Sequence, residues 1–149
     1  MSLSARYTSE GATVRKAIRI ALADDDSAMT DLFRKVLTKV GHEVFVAGDG
    51  DQLVELCRRV QPDLIITDLH MPQLDGLSAV QEVQRERPIP AILVTAADFT
   101  EQGVPACVRL VLRKPVRQSD LHEAVVVALR QTPEGTPKSA FPRTGPEGP

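Results

Sequence analysis

Five short aliphatic runs, each set apart from the next by a stretch with helical periodicity, constrain this chain more than any other feature. Ile18–Ala23, Glu43–Val46, Leu64–Thr67, Ala91–Val94 and Leu110–Leu112 are mostly unbroken in apolar character. Strands buried on both faces read that way, whereas a half-solvated antiparallel strand alternates. Between them, Met29, Leu32, Phe33, Val36, Leu37 and Val40 recur at the spacing of an amphipathic helix, which starts near Ser27 and finds a left-handed cap at Gly41. Leu53, Leu56, Cys57 and Val60 form a second stripe that stops at Pro62, and Leu77, Val80 and Val83 a third that stops at Pro88. Leu121, Ala124, Val125, Ala128 and Leu129 form the last. Strands alternating with helices imply βαβ units with right-handed crossovers, hence an α/β fold with one parallel sheet and helices on both faces.

The pattern is confined to residues 17–130, which define the expected domain. Residues 1–16 show no sustained period and read as a flexible extension. Residues 131–149 hold five of the eleven prolines and three glycines without a hydrophobic pattern. Such a composition cannot offset chain entropy by burial, so a disordered tail or linker stub is expected there. Aromatic residues make up 3% of the chain and Trp is absent, so the core must be aliphatic. A net charge of -2 disfavours a general nucleic-acid surface. No apolar run reaches the ~18 residues of a membrane span, and no secretory leader is evident, so a cytoplasmic location is expected. Cys57 and Cys107 are too few and too far apart for a disulfide framework, and Cys57 reads as a small buried hydrophobe.

Chemistry gathers at the ends of the runs. The first leads into Asp24, Asp25 and Asp26, the third into Asp68, the fourth into Thr95 and the fifth into Arg113, Lys114 and Pro115. If the runs are parallel strands, these tips converge on one edge, where ligands of open α/β sheets bind. An acidic stretch at a helix start has a plain electrostatic explanation. A carboxylate closing a buried strand calls for a partner, and several such carboxylates together call for a cation. Hard oxygen ligands beside a lysine and a hydroxyl suit Mg²⁺ and a phosphoryl group. His70 has no further His or Cys at ligand spacing, which disfavours a histidine-based metal site.

Taken in order, Ala21–Ser27 (ALADDDS), Asp63–Gly76 (DLIITDLHMPQLDG), Val94–Ala96 (VTA) and Arg113–Pro115 (RKP) resemble the receiver domain of two-component response regulators. The resemblance implies a flavodoxin-like, doubly wound five-stranded sheet in the order 2-1-3-4-5. It makes Asp68 the phosphoacceptor. Mg²⁺ (or Mn²⁺) is expected on Asp25 and Asp68, on Asp24 through water and on the backbone carbonyl of His70. Thr95, the Ala96 backbone and Lys114 are expected to contact the phosphoryl group, with Lys114–Pro115 cis. Pro72 to Gly76 would form a tight turn supporting the site. The implied donor is a sensor histidine kinase or histidine phosphotransfer protein, and the implied output an unidentified downstream protein, with no nucleic-acid or membrane contact by this domain.

Two departures from the family pattern concern output. The aromatic residue usual three positions before the lysine is Val111 here, which cannot make the same large rotamer switch. The segment between Thr95 and Lys114 is short and contains Gly103 and Pro105, so the fourth helix, between the fourth and fifth strands, is expected to be short or irregular. Ala97 offers no carboxylate or amide to orient a water, and with His70 at the other variable position a long-lived phosphoryl group is expected. These departures leave a second reading, an interaction module of the same fold that no longer uses phosphorylation. A third reading, a Mg²⁺-dependent phosphohydrolase, lacks a second carboxylate at position 70 to serve as general acid. The reading reached is a phosphoacceptor rather than a turnover enzyme.

Overall fold

Burial of the aliphatic runs on both faces produces the expected architecture. A computed structural model describes residues 17–96 and 104–130 and the backbone of 138 and 139. The elements follow as β1 (Arg19–Ala23), α1 (Ser27–Lys39), β2 (Glu43–Ala47), α2 (Gly50–Val60), β3 (Leu64–Asp68), α3 (Gly76–Gln84), β4 (Ala91–Thr95), β5 (Val108–Arg113), α4 (Gln118–Arg130) and β6 (Lys138–Ser139). The strands are all parallel and lie in the order β2-β1-β3-β4-β5-β6. The first five match the expected 2-1-3-4-5.

The first five strands send alternate side chains into two separate cores. Ala21, Ala23, Ile65, Leu93 and Val111 meet α2 and α3 on one face, with Leu53, Leu56, Cys57, Val80 and Val83. Ile20, Leu22, Ile66, Ile92, Val94, Leu110 and Leu112 meet α1 and α4 on the other, with Phe33, Val36, Leu37, Leu121 and Val125. Burying one such aliphatic side chain is worth about 1.5–3 kcal/mol. Two aliphatic layers therefore hold the sheet, with Phe33 the single buried aromatic among the described residues.

The structure corrects several expectations. Leu32, Val40 and Leu129 are exposed by 45%, 53% and 41% instead of facing the core. Leu32 sits roughly 100° around α1 from Phe33, and the buried Thr30 takes the core side in its place. Val40 lies past the last helical residue, at the C-cap, and Leu129 is turned away beside the buried Ala128. The Asp26 side chain caps α1 by accepting from the Ala28 amide, so Ser27 is the first helical residue and not the cap. Gly41 takes the left-handed conformation expected of it, with φ of 102°.

Between β4 and β5 no helix stands among the described residues, and Val104 to Cys107 form an irregular approach to β5. Ala97 lies outside the described residues. The register between β4 and β5 slips after Ala91, so Arg109 is an extra residue that bulges β5. The short β6 at Lys138–Ser139 was not anticipated, and the rest of the stretch 131–149 lies outside the described residues.

Candidate functional site

Register alone brings the strand tips together. Ala23 pairs with Thr67, Asp68 with Val94, and Thr95 with Arg113. The residues at or just beyond these ends are Asp24, Asp68, Thr95 and Lys114, from four adjacent strands. Asp24, Asp68 and Thr95 are buried, while Asp25 is exposed at the rim. Carboxylate oxygens of Asp24, Asp25 and Asp68 all lie within 4.8 Å of one another. Lys114 Nζ reaches into the cluster, 3.2 Å from Asp68 Oδ1 and 3.5 Å from Asp24 Oδ2.

The charge balance is uneven, with three carboxylates and one ammonium in the cluster. Burial raises the Asp24 carboxyl above its ordinary range, and the neighbouring Asp68 adds to the rise. The Asp26 amide, donating to Asp24 Oδ1 at 2.9 Å, and Lys114 act in the opposite direction. Burial would lower the Lys114 ammonium, but attraction to Asp24 and the hydrogen bond to Asp68 outweigh it and the net shift is upward. Lys114 is thus held charged. The remaining negative charge, carried on hard oxygens that converge at one point, fits a divalent cation.

Local chemistry fixes each tip. The Asp24 amide donates to the Ala47 carbonyl, the Leu69 amide to the Val94 carbonyl and the Lys114 amide to the Thr95 carbonyl. Thr67 Oγ1 donates to the Asp68 carbonyl at 2.9 Å. After β3 the chain turns through Pro72 and Gln73, whose φ is 70°, and enters α3 with Asp75 as its cap. Gly76 is required there by contact and not by conformation, because a Cβ would overlap the Asp68 carbonyl oxygen. Gly50, at the start of α2, is packed as closely against the Leu74 carbonyl. The Lys114–Pro115 bond is cis.

The residues singled out from the sequence therefore fall into groups. Asp24, Asp25, Asp68 and Lys114 are assembled into one cluster. Thr95 is buried at the β4 tip, with Ala96 exposed just beyond it, and His70 and Pro72 are exposed in the turn after β3. Pro115 follows Lys114 in the cis bond. Val111 is buried in the core under α2 and α3. Thr67, Asp26 and Gly50 support the site without having been recognised in that role, and Asp75, inside the expected supporting turn, proves to be the cap of α3. The two caps had a readable signal, an Asp directly before a helical stripe. Cys57 is buried as expected and its thiol is pushed up to about 12 by desolvation, and burial likewise lifts Cys107 to about 11.

A family model described as the response regulator receiver domain matches residues 20–126. The chain belongs to this family. Among curated relatives of the receiver, the transcriptional regulatory protein PdtaR of Mycobacterium tuberculosis is 34% identical over 122 residues, 79% of this chain and 60% of that protein. The protein-glutamate methylesterase/protein-glutamine glutaminase 2 of Anaeromyxobacter dehalogenans is 38% identical over 118 residues, 72% of this chain and 33% of that protein. The receiver spans about half the length of the first curated relatives it matches, 54% and 53% for the probable transcriptional regulators ycf27 of Porphyridium aerugineum and Galdieria sulphuraria. Among solved structures, a CheY-like receiver domain protein from Methanospirillum hungatei superposes with a TM-score of 0.69 at 26% identity, covering 74% of this chain and 92% of that one. No helix among the described residues is long and apolar enough to cross a membrane.

Proposed function

We propose that this receiver accepts a phosphoryl group on Asp68 from a phosphohistidine of a sensor kinase or histidine phosphotransfer protein, in a Mg²⁺-dependent reaction, and passes the signal on by a change of conformation. The observation that carries this reading is the position of Lys114 Nζ, 3.2 Å from Asp68 Oδ1 and within the same carboxylate cluster. A structural ion pair would need one carboxylate; here one lysine serves two, beside a third.

In the proposed reaction an Asp68 carboxylate oxygen attacks phosphorus, the bond from phosphorus to the donor's imidazole nitrogen breaks, and the imidazole leaves with the electron pair. The obstacle is repulsion between the attacking carboxylate and the phosphoryl oxygens. Lys114 supplies a fixed positive charge against that repulsion, and its position requires no reorganisation during the reaction. Thr95, at the neighbouring tip, has a hydroxyl to donate to a phosphoryl oxygen, and the Ala96 amide can do the same. Mg²⁺ (or Mn²⁺), held by Asp25, Asp68, the His70 carbonyl and, through water, Asp24, would neutralise charge on the transferring group. The hydrogen bonds around the Asp68 carbonyl and the close contact of Gly76 limit the freedom of the acceptor. The product is an acyl phosphate, which water hydrolyses, so the modification is a timed signal.

Intact-mass analysis after incubation with Mg²⁺ and acetyl phosphate tests the proposal. One added phosphoryl group is expected on the native chain and none on Asp68→Asn. Absence of the gain in a folded native chain, with a cognate kinase as well as the small donor, would leave the phosphorylation-independent module.

A further inference from the structure

The two edges of the sheet are finished differently. β2 has no further strand beside it among the described residues, and it exposes Glu43 and Val46. β5 does have one: Lys138 and Ser139 pair in parallel with Leu110 and Val111. The pairing extends the rule that built the sheet, since β5, α4 and β6 repeat the strand–helix–parallel-strand unit. Its length is limited by composition. Pro137 precedes it and Pro142 follows, which leaves Lys138 to Phe141 as the proline-free window. Proline cannot donate to a strand ladder.

An uncovered edge strand presents unpaired N–H and C=O groups and is a template for another chain. A two-residue pairing is weak by itself, but only seven residues of sequence, 131–137, separate it from the end of α4. A tether of that kind gives an effective concentration in the millimolar range, so a weak contact is populated in cis and remains exchangeable.

We propose that the β5 edge is a strand-accepting surface, closed in cis by the chain's own Lys138–Ser139 segment acting as a detachable strap. The peptide it accepts runs parallel to β5 along Leu110 and Val111. The proposal does not depend on modification of Asp68, so it and the phosphoacceptor reading stand or fall separately.

Amide hydrogen exchange of the full chain provides the test. Lys138→Pro combined with Ser139→Pro removes the strap amide that faces β5, whichever of the two supplies it, and Glu134→Pro serves as a control in the tether. Exchange of the amides within Leu110–Leu112 that face β6 is expected to accelerate about tenfold or more in the double variant and to stay unchanged in the control. A synthetic peptide of residues 136–141, supplied at millimolar concentration, is expected to restore slow exchange in the double variant. Equal exchange in the native chain and the double variant would overturn the strap, and failure of the peptide to protect would overturn the accepting surface. Protection that rises with protein concentration would also overturn closure in cis, since a second copy would then supply the strand.

Discussion

The β1–β3 side of the site and the β4–β5 side hold their functional groups with different kinds of contact. On the first side, Asp24 is bonded through its own amide and its carboxylate, and Asp26 caps the helix that follows. Asp68 is pinned at its carbonyl by Thr67, and Gly76 packs directly against it. On the second side, Lys114 is anchored by one backbone bond to Thr95 and by its ion pairs. Val111 stands where an aromatic switch is usual, β5 carries a bulge, and no helix precedes it among the described residues. The acceptor and its carboxylate neighbours lie on the first side, and the second side adds the lysine and the hydroxyl. The side through which the family's aromatic switch would act offers a small, buried valine and a short added strand. Such a contrast argues that acceptance and output are separately adjustable here.

The sharpest way to test the contrast is to remove the one charged group that the second side contributes to acceptance. Lys114→Ala is expected to slow phosphoryl incorporation from acetyl phosphate by about 100- to 1000-fold, the scale of losing one preorganised electrostatic group. Time-resolved intact-mass measurement checks it, and a rate within a few fold of native would mean that Lys114 is only a structural ion pair. Chelation of divalent cations is expected to suppress incorporation in the native chain as well.

A contact on the first side gives the next effect. Gly76→Ala forces a methyl group into the Asp68 carbonyl and is expected to destabilise the fold by about 1–3 kcal/mol, read from urea denaturation. Incorporation should fall with it, because the same contact positions the acceptor. On the opposite side, Val111→Ala is expected to cost about 1–2 kcal/mol of stability through the space it leaves while changing the incorporation rate less than twofold. A large kinetic effect of Val111→Ala would break the proposed separation of the two sides.

The smallest effect is expected at Asp24. Its folded carboxyl lies above the ordinary value because burial and Asp68 disfavour the ionised form. The folded state therefore binds the proton more tightly than the unfolded chain, and Asp24 costs stability at neutral pH in the metal-free protein. That cost declines as pH falls through the raised folded value and is gone below the unfolded value. Asp24→Asn is expected to raise the metal-free thermal midpoint at pH 7, to flatten its pH dependence in that acidic window, and to weaken the response to added Mg²⁺. An unchanged or lowered midpoint would show that the carboxylates already compensate one another through Lys114.

Much of this architecture was legible in the sequence because burial on both faces leaves an unmistakable run such as Leu64–Thr67, and because each run ends in a residue that needs a partner. Parallel pairing then brings those ends together with little freedom. What could not be read depends on distances between segments remote in sequence. Gly50 touches the Leu74 carbonyl only after α2 and the turn beyond β3 have been placed. Leu32 and Leu129 have the composition of core residues but the angular position of the rim, and Val40 falls past the end of its helix. β6 is two residues between prolines, too short for any periodicity to mark it.

The central claim is that Asp68, among three neighbouring carboxylates, is the acceptor. Borohydride reduction converts an aspartyl phosphate to homoserine, and peptide mapping then locates it. Treatment of the native chain after incubation with Mg²⁺ and acetyl phosphate is expected to yield homoserine at position 68 and aspartate at 24 and 25. Homoserine at position 24 or 25, or at none of the three, would contradict the account.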